Sequence, residues 1–456
     1  MAKLFGTDGI RGRAGQFPLD AETVRLLGSS LTTHLRTQLE NRAPVIVIGR
    51  DTRESGPWLE EAFIAGATDA GAECKSAGVI TTPGVAFLAR VLPADTGVVI
   101  SASHNPYPDN GVKIFSPSGR KLSDAIERLL EADIHAGAAP SGNRDDLDAA
   151  SMNDDGEAAR LRARYLDYLA EEIASGLSLT GTTMLIDCAN GAASQLAPEL
   201  FARLGANVIA INDQPDGKNI NQDCGSLNIN GLQLRVSEER VDLGVAFDGD
   251  ADRALFVDGT GRFVDGDATM WVLATDMDQR GELHDGIVVG TVMSNIGLEI
   301  ALRNRGLTLV RSDVGDKYVL DELVRSGATL GGEQSGHLIF PKLSLAGDGM
   351  ITTLCLLRAL KDQGQSLAEA TSGFERYPQI LVNIPVTERK PFVEMADLQT
   401  LAGEIETKLS GKGRLLLRYS GTELLARVMI EGENQSEIES YAHNLAAVIR
   451  SAIGSA

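Results

Sequence analysis

The chain reads as an α/β protein that ends in a strand-rich α+β section, and three observations point there. Short β-branched runs (VIVIG, GVVIS, MLIDCA, NVIAI, DLGVAF, GIVVGTV and LTLVRS) recur between residues 45 and 312, several after helix-periodic stretches such as APELFARLGA and LEIALRNRG. Such alternation favours helices packed on mixed or parallel sheets. The succession helix, glycine, strand occurs in AFIAGATDAGAECKSAGVI, ELFARLGANVIAI and EIALRNRGLTLV, which suggests three related α/β units. After a break at residues 373–377, PQILVNIPV opens a section that closes with the helical pattern SEIESYAHNLAAVIRSAI.

Length sets the scale of this organisation. At 456 residues, a typical domain of about 150 residues allows three or so, each able to bury a core. Residues 136–157, AGAAPSGNRDDLDAASMNDDGE, are small, polar and acidic, as a connection between domains would be.

Composition narrows the partners. A formal net charge of −21 argues against a nucleic-acid or anionic-membrane partner, because neither offers a positive surface to meet it. A phosphate ligand is still compatible, since a local Arg/Lys cluster outweighs distant charge that is screened beyond about 8 Å. The four cysteines, Cys74, Cys188, Cys224 and Cys355, show no CxxC spacing, so neither a zinc site nor a disulfide framework is expected. The opening MAKLFGTDG has no apolar core of a signal peptide, and no run approaches the ~18 apolar residues of a membrane span. A cytoplasmic protein with reduced thiols is the expectation.

Four motifs carry chemistry. In FDGDADR, residues 247–253, Asp248, Asp250 and Asp252 alternate with Gly249 and Ala251. If the segment is extended, the three carboxylates share one face. Unit charges about 4 Å apart repel by roughly 4 kcal/mol at an effective dielectric of about 20, so the triad calls for a cation or a shifted pKa. Oxygen-only ligands suit Mg²⁺ or Ca²⁺. An EF-hand is excluded, because its required Gly and Glu positions hold Arg253 and Gly259. The alternative is a solvated acidic turn between two strands.

The second motif lies in GVVISASHNPYPDNGVKIF, residues 97–115, where a strand runs into a polar turn and a second strand follows. Ser101 and Ser103 sit there beside His104, and a hydroxyl nucleophile would be well placed. Loop serines also serve as plain turn formers, and no spacing rule separates Ser101 from Ser103. In the third, LGGEQSGHLIF, Glu333, Ser335 and His337 alternate between glycines and offer acceptors and donors suited to sugar hydroxyls. His337 could act as a general acid or base, or simply be hydrogen-bonded structure. In the fourth, LLLRYSGTELLARVMIEG, Arg418, Ser420, Gly421 and Thr422 lie between two strand-like runs, a composition suited to cradling phosphate or to an ordinary hairpin.

Together and in this order, SASHNP, DGDADR, GGEQSGH and RYSGTE resemble the phosphoserine, metal, sugar and phosphate loops of the α-D-phosphohexomutase superfamily. The likeness spans nearly the whole chain. FGTDGIRG, GRDTRESG, TVMSNIGLE and the Gln of GEQSGH are most similar to members acting on glucosamine phosphates. The resemblance implies four domains around a central cleft, with boundaries at 1–150, 151–253, 254–372 and 373–456. It implies interconversion of glucosamine 6-phosphate and glucosamine 1-phosphate through a phosphoserine and a bisphosphate intermediate, in the supply of amino-sugar nucleotides and cell-wall precursors.

By the same resemblance Ser103 is the phosphorylated nucleophile, and Mg²⁺ sits on Asp248, Asp250, Asp252 and an oxygen of the phosphoserine. Arg11, Lys113 and His337 manage charge and protons. Arg253, Glu333 and Ser335 meet the sugar, while Arg418, Ser420, Gly421 and Thr422 hold phosphate. A sugar 1,6-bisphosphate acts as primer, and a homodimer suits the family. Two departures concern the last loop, where many members have Pro and this chain has Tyr419 and Leu424. Both remove a fixed φ and leave the binding groups in place. Phosphomannomutase or phosphoglucomutase activity is the nearest alternative. A noncatalytic phosphosugar-binding protein and a metal-dependent phosphatase are the others.

Overall fold

The computed structural model describes residues 3–6, 8–137, 156–420 and 423–454. Most of the acidic connection read from the sequence therefore lies outside the described residues, as do Gly421 and Thr422. The chain forms two compact units. One comprises Met1–Val292 and Val310–Thr371; the other comprises Met293–Leu309 and Ser372–Ala456. Residues 293–309, which the sequence reading places in the third domain, cluster with the C-terminal section.

The larger unit carries two complete mixed sheets. In the first, β1 (Phe5–Gly6), β2 (Gly9–Arg13), β3 (Val45–Arg50), β4 (Glu73–Val79), β5 (Thr96–Ile100) and β6 (Asp109–Phe115) take the order β1-β2-β6-β5-β3-β4. Strands β3, β4 and β5 are parallel, and β6 returns antiparallel to β5. Every residue of β5 is buried, as expected of a strand covered on both faces. In the second, β7 (Thr183–Asp187), β8 (Asn207–Ile211), β9 (Leu243–Phe247), β10 (Ala254–Asp258) and β11 (Phe263–Val264) take the order β11-β10-β9-β7-β8. Here β7 and β9 are parallel and β10 is antiparallel to β9.

A third sheet has the order β13-β12-β14-β15, from β12 (Ile287–Thr291), β13 (Thr308–Ser312), β14 (Gly331–Gly332) and β15 (Leu338–Ile339). Within the smaller unit, β16 (Gln379–Pro385), β17 (Arg414–Tyr419) and β18 (Leu425–Glu431) form an antiparallel sheet in the order β16-β18-β17. The helices Ala396–Leu409 and Gln435–Ile453 complete it, with Leu398, Ile405, Leu445 and Ile449 in a core shared with Val428 and Ile430. The α/β class with a C-terminal α+β section is thus observed, and each β-branched run read from the sequence is a strand. No described helix is long and apolar enough to cross a membrane.

Parallel pairing decides where chemistry can collect. Strands β3 and β5 end at the same rim, so Asp51 and Ser101 follow directly at one edge. Strand β9 ends likewise beside β7 and delivers Asp248. Ligand sites of open α/β sheets lie at such carboxyl ends.

Candidate active site

Beyond β5 the chain turns sharply to begin β6, and Ser103 occupies the turn with a left-handed φ of 54°. A non-glycine residue there is strained, by roughly 1–3 kcal/mol, and needs surrounding structure to hold it. Ser103 donates from Oγ to Asp248 Oδ2 at 2.5 Å and lies 3.2 Å from His104 Nδ1. The two serines that the sequence leaves equivalent are separated by this geometry. Ser101 Oγ donates to Asp51 Oδ2 at 2.6 Å and accepts the Ser103 N–H at 2.9 Å, so it supports the turn while Ser103 faces the carboxylates.

Asp248, Asp250 and Asp252 do converge, with one ligand oxygen of each within 4.8 Å of the others. The extended backbone expected for them is not what brings them together. Residues 248–253 form a turn between antiparallel β9 and β10, and Ala251 has a φ of 55°. Curling lets three carboxylates face one point without spanning a strand's length. Two helix N-termini hold the curl, because Thr82 N donates to Asp250 O and Gly349 N to Ala251 O, each at 3.0 Å. These are N–H groups that a helix leaves unpaired at its start, and their partial positive charge suits an acidic loop.

The donor set fits a hard divalent cation. Asp250 Oδ1 and Asp252 Oδ1 are buried and accept no hydrogen bond, a costly arrangement unless an ion or water meets them. Burial, then Asp252 and Asp250, pushes the Asp248 carboxyl well above its ordinary range. For Asp250 burial pushes the same way, yet the Lys113 ammonium at 2.8 Å and the Thr82 hydroxyl at 2.5 Å hold it low.

Lys113, on β6, is fully buried and also meets Asp8 at 2.9 Å and Asp252 at 3.4 Å. Burial lowers its pKa, but Asp250, Asp8 and Asp252 together raise it well above the usual lysine range. Asp8 in turn pairs with Arg11 and Lys121, and Lys121 pairs with Asp316. A cavity of about 390 Å³ opens onto this network, lined by Asp8, Arg11, His104, Asp252, Arg253 and Glu333 among others. His337 also lines it, with Nε2 4.0 Å from Asp316 Oδ2. Burial, then Arg253 and Arg11, lowers the His104 pKa to about 4. Ser103, Asp248 and Asp250 are at most 1% exposed and do not form the lining.

Glu333, Ser335 and His337 occupy the tight turn between β14 and β15. Glu333 Oε1 accepts the Gly315 N–H at 3.0 Å. The Ser335 hydroxyl is buried, has no hydrogen-bond partner, and lies outside the cavity lining. Gln334 turns to Asp265 and Asp267, at 3.3 and 3.1 Å.

Within the smaller unit, Arg418 is the penultimate residue of β17 and faces Arg427 of β18 in register. Ser420 is buried and its Oγ accepts from Glu423 N at 3.3 Å and Arg427 Nη2 at 3.5 Å. Like charges directly opposite on a sheet are unfavourable without a counter-charge, and Glu423 Oε2 lies 3.7 Å from Arg427 Nη2.

Sequence reasoning missed Asp8, Asp51 and Arg427 as members of these networks, and likewise Arg53 and Asn221, which both donate to the Ser103 carbonyl. Asp8 and the pair Asp51/Arg53 stood inside FGTDGIRG and GRDTRESG, stretches noted for likeness alone. Arg427 required the strand register.

Models of the phosphoglucomutase/phosphomannomutase α/β/α domains I, II and III match residues 2–140, 163–261 and 265–377, and that of the C-terminal domain matches 381–448. The phosphoglucosamine mutase of Solibacter usitatus is 48% identical, with 100% of each chain covered, and that of Alcanivorax borkumensis 44% identical, with 99% of each covered. Among solved structures, a phosphoglucomutase/phosphomannomutase family protein of Burkholderia thailandensis superposes with a TM-score of 0.79 at 22% identity, over 99% of this chain and 97% of that one. The N-acetylphosphoglucosamine mutase of Aspergillus fumigatus, solved with GlcNAc-6P and magnesium, gives 0.65 at 20% identity over 99% and 96%. With all four domain models matched in order and whole-length relatives at these identities, the chain belongs to the phosphoglucomutase/phosphomannomutase family of hexose-phosphate-isomerising enzymes, alongside its phosphoglucosamine mutases.

Proposed function

We propose that the protein interconverts glucosamine 6-phosphate and glucosamine 1-phosphate by way of phosphorylated Ser103 and a sugar bisphosphate. The observation that carries this reading is Ser103 Oγ at 2.5 Å from a buried triad with two unpartnered carboxylate oxygens. A hydroxyl so placed would carry a phosphoryl group beside a cation, as phosphoryl transfer requires. The bond from phosphorus to Ser103 Oγ breaks as a bond to the sugar hydroxyl forms; that hydroxyl loses its proton and Ser103 Oγ regains one when the step completes. Reversal on the other phosphate of the bisphosphate returns the phosphoryl group to Ser103.

Each side chain has a part that its surroundings support. Asp248, Asp250 and Asp252 would hold Mg²⁺ with an oxygen of the phosphoserine, and the ion when bound would neutralise charge on the moving group. Lys113, held charged by three carboxylates, keeps positive charge at the reacting centre. Arg11, Arg253, Glu333 and His337 face the cavity where sugar and phosphate would lie. Ser335 belongs to the same turn and acts on the sugar only if its hydroxyl turns outward. Arg418, Ser420, Gly421 and Thr422, with Arg427, bind phosphate. The four-domain division 1–150, 151–253, 254–372 and 373–456 is supported by the order of the matched domain models. A cytoplasmic setting accords with four free cysteines.

The test is a mutase assay on the 6-phosphates of glucosamine, glucose and mannose, each primed with its 1,6-bisphosphate and Mg²⁺ and followed by phosphorus NMR. Fastest conversion of glucosamine 6-phosphate is expected. Preference for glucose or mannose would move the substrate and keep the mechanism. Release of free phosphate without isomerisation would make the protein a phosphatase, and no reaction at all would make it a binding protein.

A further inference from the structure

The geometry points to a clamp on the backbone of the nucleophile turn, made by Arg53 and Asn221, that aims Ser103 for phosphoryl transfer. The inference rests on the reading of Ser103 as nucleophile and adds two positioning residues to it. Two carbonyls of the turn, that of buried Ser103 and that of half-buried Asn105, receive the same two donors. Asn221 Nδ2 reaches Ser103 O at 2.9 Å and Asn105 O at 3.1 Å. Arg53 Nη2 reaches Ser103 O at 3.2 Å and also donates to Asn105 O.

The two donors are themselves held. Arg53 is 1% exposed, is locked by its ion pair with Asp51, and has a planar guanidinium that fixes the direction of its N–H groups. Asn221 lies on the loop after β8 with a φ of 57°, tied through its own N–H to Ala189 O at 2.9 Å. One donor therefore follows the first sheet and the other the second. The metal loop touches the same point. A Cβ added at Gly249 would stand 2.5 Å from Ser103 O and 2.9 Å from Asn221 Nδ2, so only glycine lets the carboxylate turn approach the clamped carbonyl this closely.

Neither donor touches the reacting oxygen. Their effect runs through the peptide plane between Ser103 and His104, whose orientation keeps Ser103 at positive φ and its Oγ on Asp248. Release would let the turn relax toward negative φ and swing Oγ away. A displacement of about 1 Å at a reacting atom costs on the order of 100-fold in rate.

The decisive variant is Asn221→Asp in the full chain, nearly isosteric but presenting acceptors to two carbonyl oxygens. Asn221→Ala and Arg53→Lys accompany it, so that one misfolded variant does not end the test. Each is purified, its folded fraction set by circular dichroism, and its Ser103 phosphorylated from labelled glucose 1,6-bisphosphate. The expected result is a kcat lower by about 10- to 100-fold with KM within about threefold of wild type, and a rate of Ser103 labelling reduced by the same factor. A purely structural role would lower the melting temperature and leave kcat per folded molecule unchanged. A kcat for folded Asn221→Asp within about twofold of wild type, or a loss confined to KM, overturns the clamp. Ser103→Ala separates the two levels: if wild-type Ser103 takes no label, the nucleophile reading fails and the clamp with it. If it does and Ser103→Ala is inactive while the clamp variants keep full kcat, only the clamp fails.

Discussion

The Ser103 and aspartate turns of the larger unit and the arginine hairpin of the smaller one are both polar loops between antiparallel strands, yet they are built differently. Around Ser103 the side chains are closely held: Asp51, Arg53, Ser101 and Asn221 form one connected set of hydrogen bonds and ion pairs about the turn, and Lys113 pairs with Asp250 beside it, while Asp250 Oδ1 and Asp252 Oδ1 accept no hydrogen bond. Around Ser420 the hydrogen bonds among the described residues are long, at 3.3 and 3.5 Å, and two arginines face each other across the strands, one of them with Glu423 at 3.7 Å. Groups that act on a transition state gain from being fixed in advance, because no reorganisation is then needed when charge develops. Groups that capture and release a ligand gain from looser contacts, which the ligand's own oxygens can replace.

Ser103→Ala should break the first region most severely. Removing the hydroxyl that donates to Asp248 should lower turnover by roughly 10⁴-fold or more, with the circular dichroism spectrum unchanged, since a buried methyl group replaces a small polar one. A residual mutase rate above about one per cent would move the nucleophile elsewhere. Asp250→Asn comes next and sharpens the contrast within that region. It takes away a proposed metal ligand and leaves Lys113 with one buried anion fewer. Breaking one partner of a buried ion pair costs about 3–5 kcal/mol, so both Mg²⁺ affinity by calorimetry and the melting temperature should fall. A variant that keeps its stability and loses only Mg²⁺ would show that Lys113 is content with Asp8 and Asp252.

Arg418→Ala tests the second region in the opposite sense. Losing a charge-assisted contact of about 1.5–3 kcal/mol should raise KM for the sugar phosphate about 10- to 100-fold with a smaller change in kcat. Stability should stay within about 1 kcal/mol of wild type, because relief of the repulsion from Arg427 offsets lost packing. A large loss of stability with unchanged KM would make the hairpin ordinary structure.

The unequal legibility of the two regions in the sequence has the same origin. Strands such as VIVIG and GVVIS announce themselves by β-branched runs, and the four loops by glycine, serine and aspartate between them, so the fold and the candidate loops were readable. Local pattern could not show that Asp248, Asp250 and Asp252 meet through a left-handed residue at Ala251 rather than along a strand. Nor could it choose between Ser101 and Ser103, whose roles depend on where Asp51 and Asp248 arrive from strands far off in the chain. Arg53, Asn221 and Arg427 were invisible for the same reason, since their partners are set by parallel pairing, a distant loop and a strand register. The hydroxyl of Ser335, which composition assigns to the sugar, is turned away from the cavity.

The smallest effect concerns a carboxylate behind the metal turn that has no part in the chemistry. Asp348 caps the helix Gly349–Gln363 through Met350 N and Ile351 N, at 2.9 and 3.0 Å, and accepts the Tyr165 hydroxyl at 2.7 Å. Full burial raises its pKa to about 6, with Asp252 adding to the rise against those three hydrogen bonds. Between pH 4 and 6 the folded protein then keeps a proton that the unfolded chain has already released. Its contribution to stability is therefore full below about pH 4 and is lost as pH rises toward 6, by at most about 3 kcal/mol. Asn caps a helix as well as Asp and can donate to the Tyr165 oxygen, so Asp348→Asn should keep the contacts and lose the titration. Melting temperatures of the two proteins should agree most closely near pH 4 and diverge toward pH 7 in favour of the variant. A difference that stays constant across that range would mean that Asp348 is ionised in the fold throughout. The dense region around Ser103 would then tolerate one more buried charge than its geometry suggests.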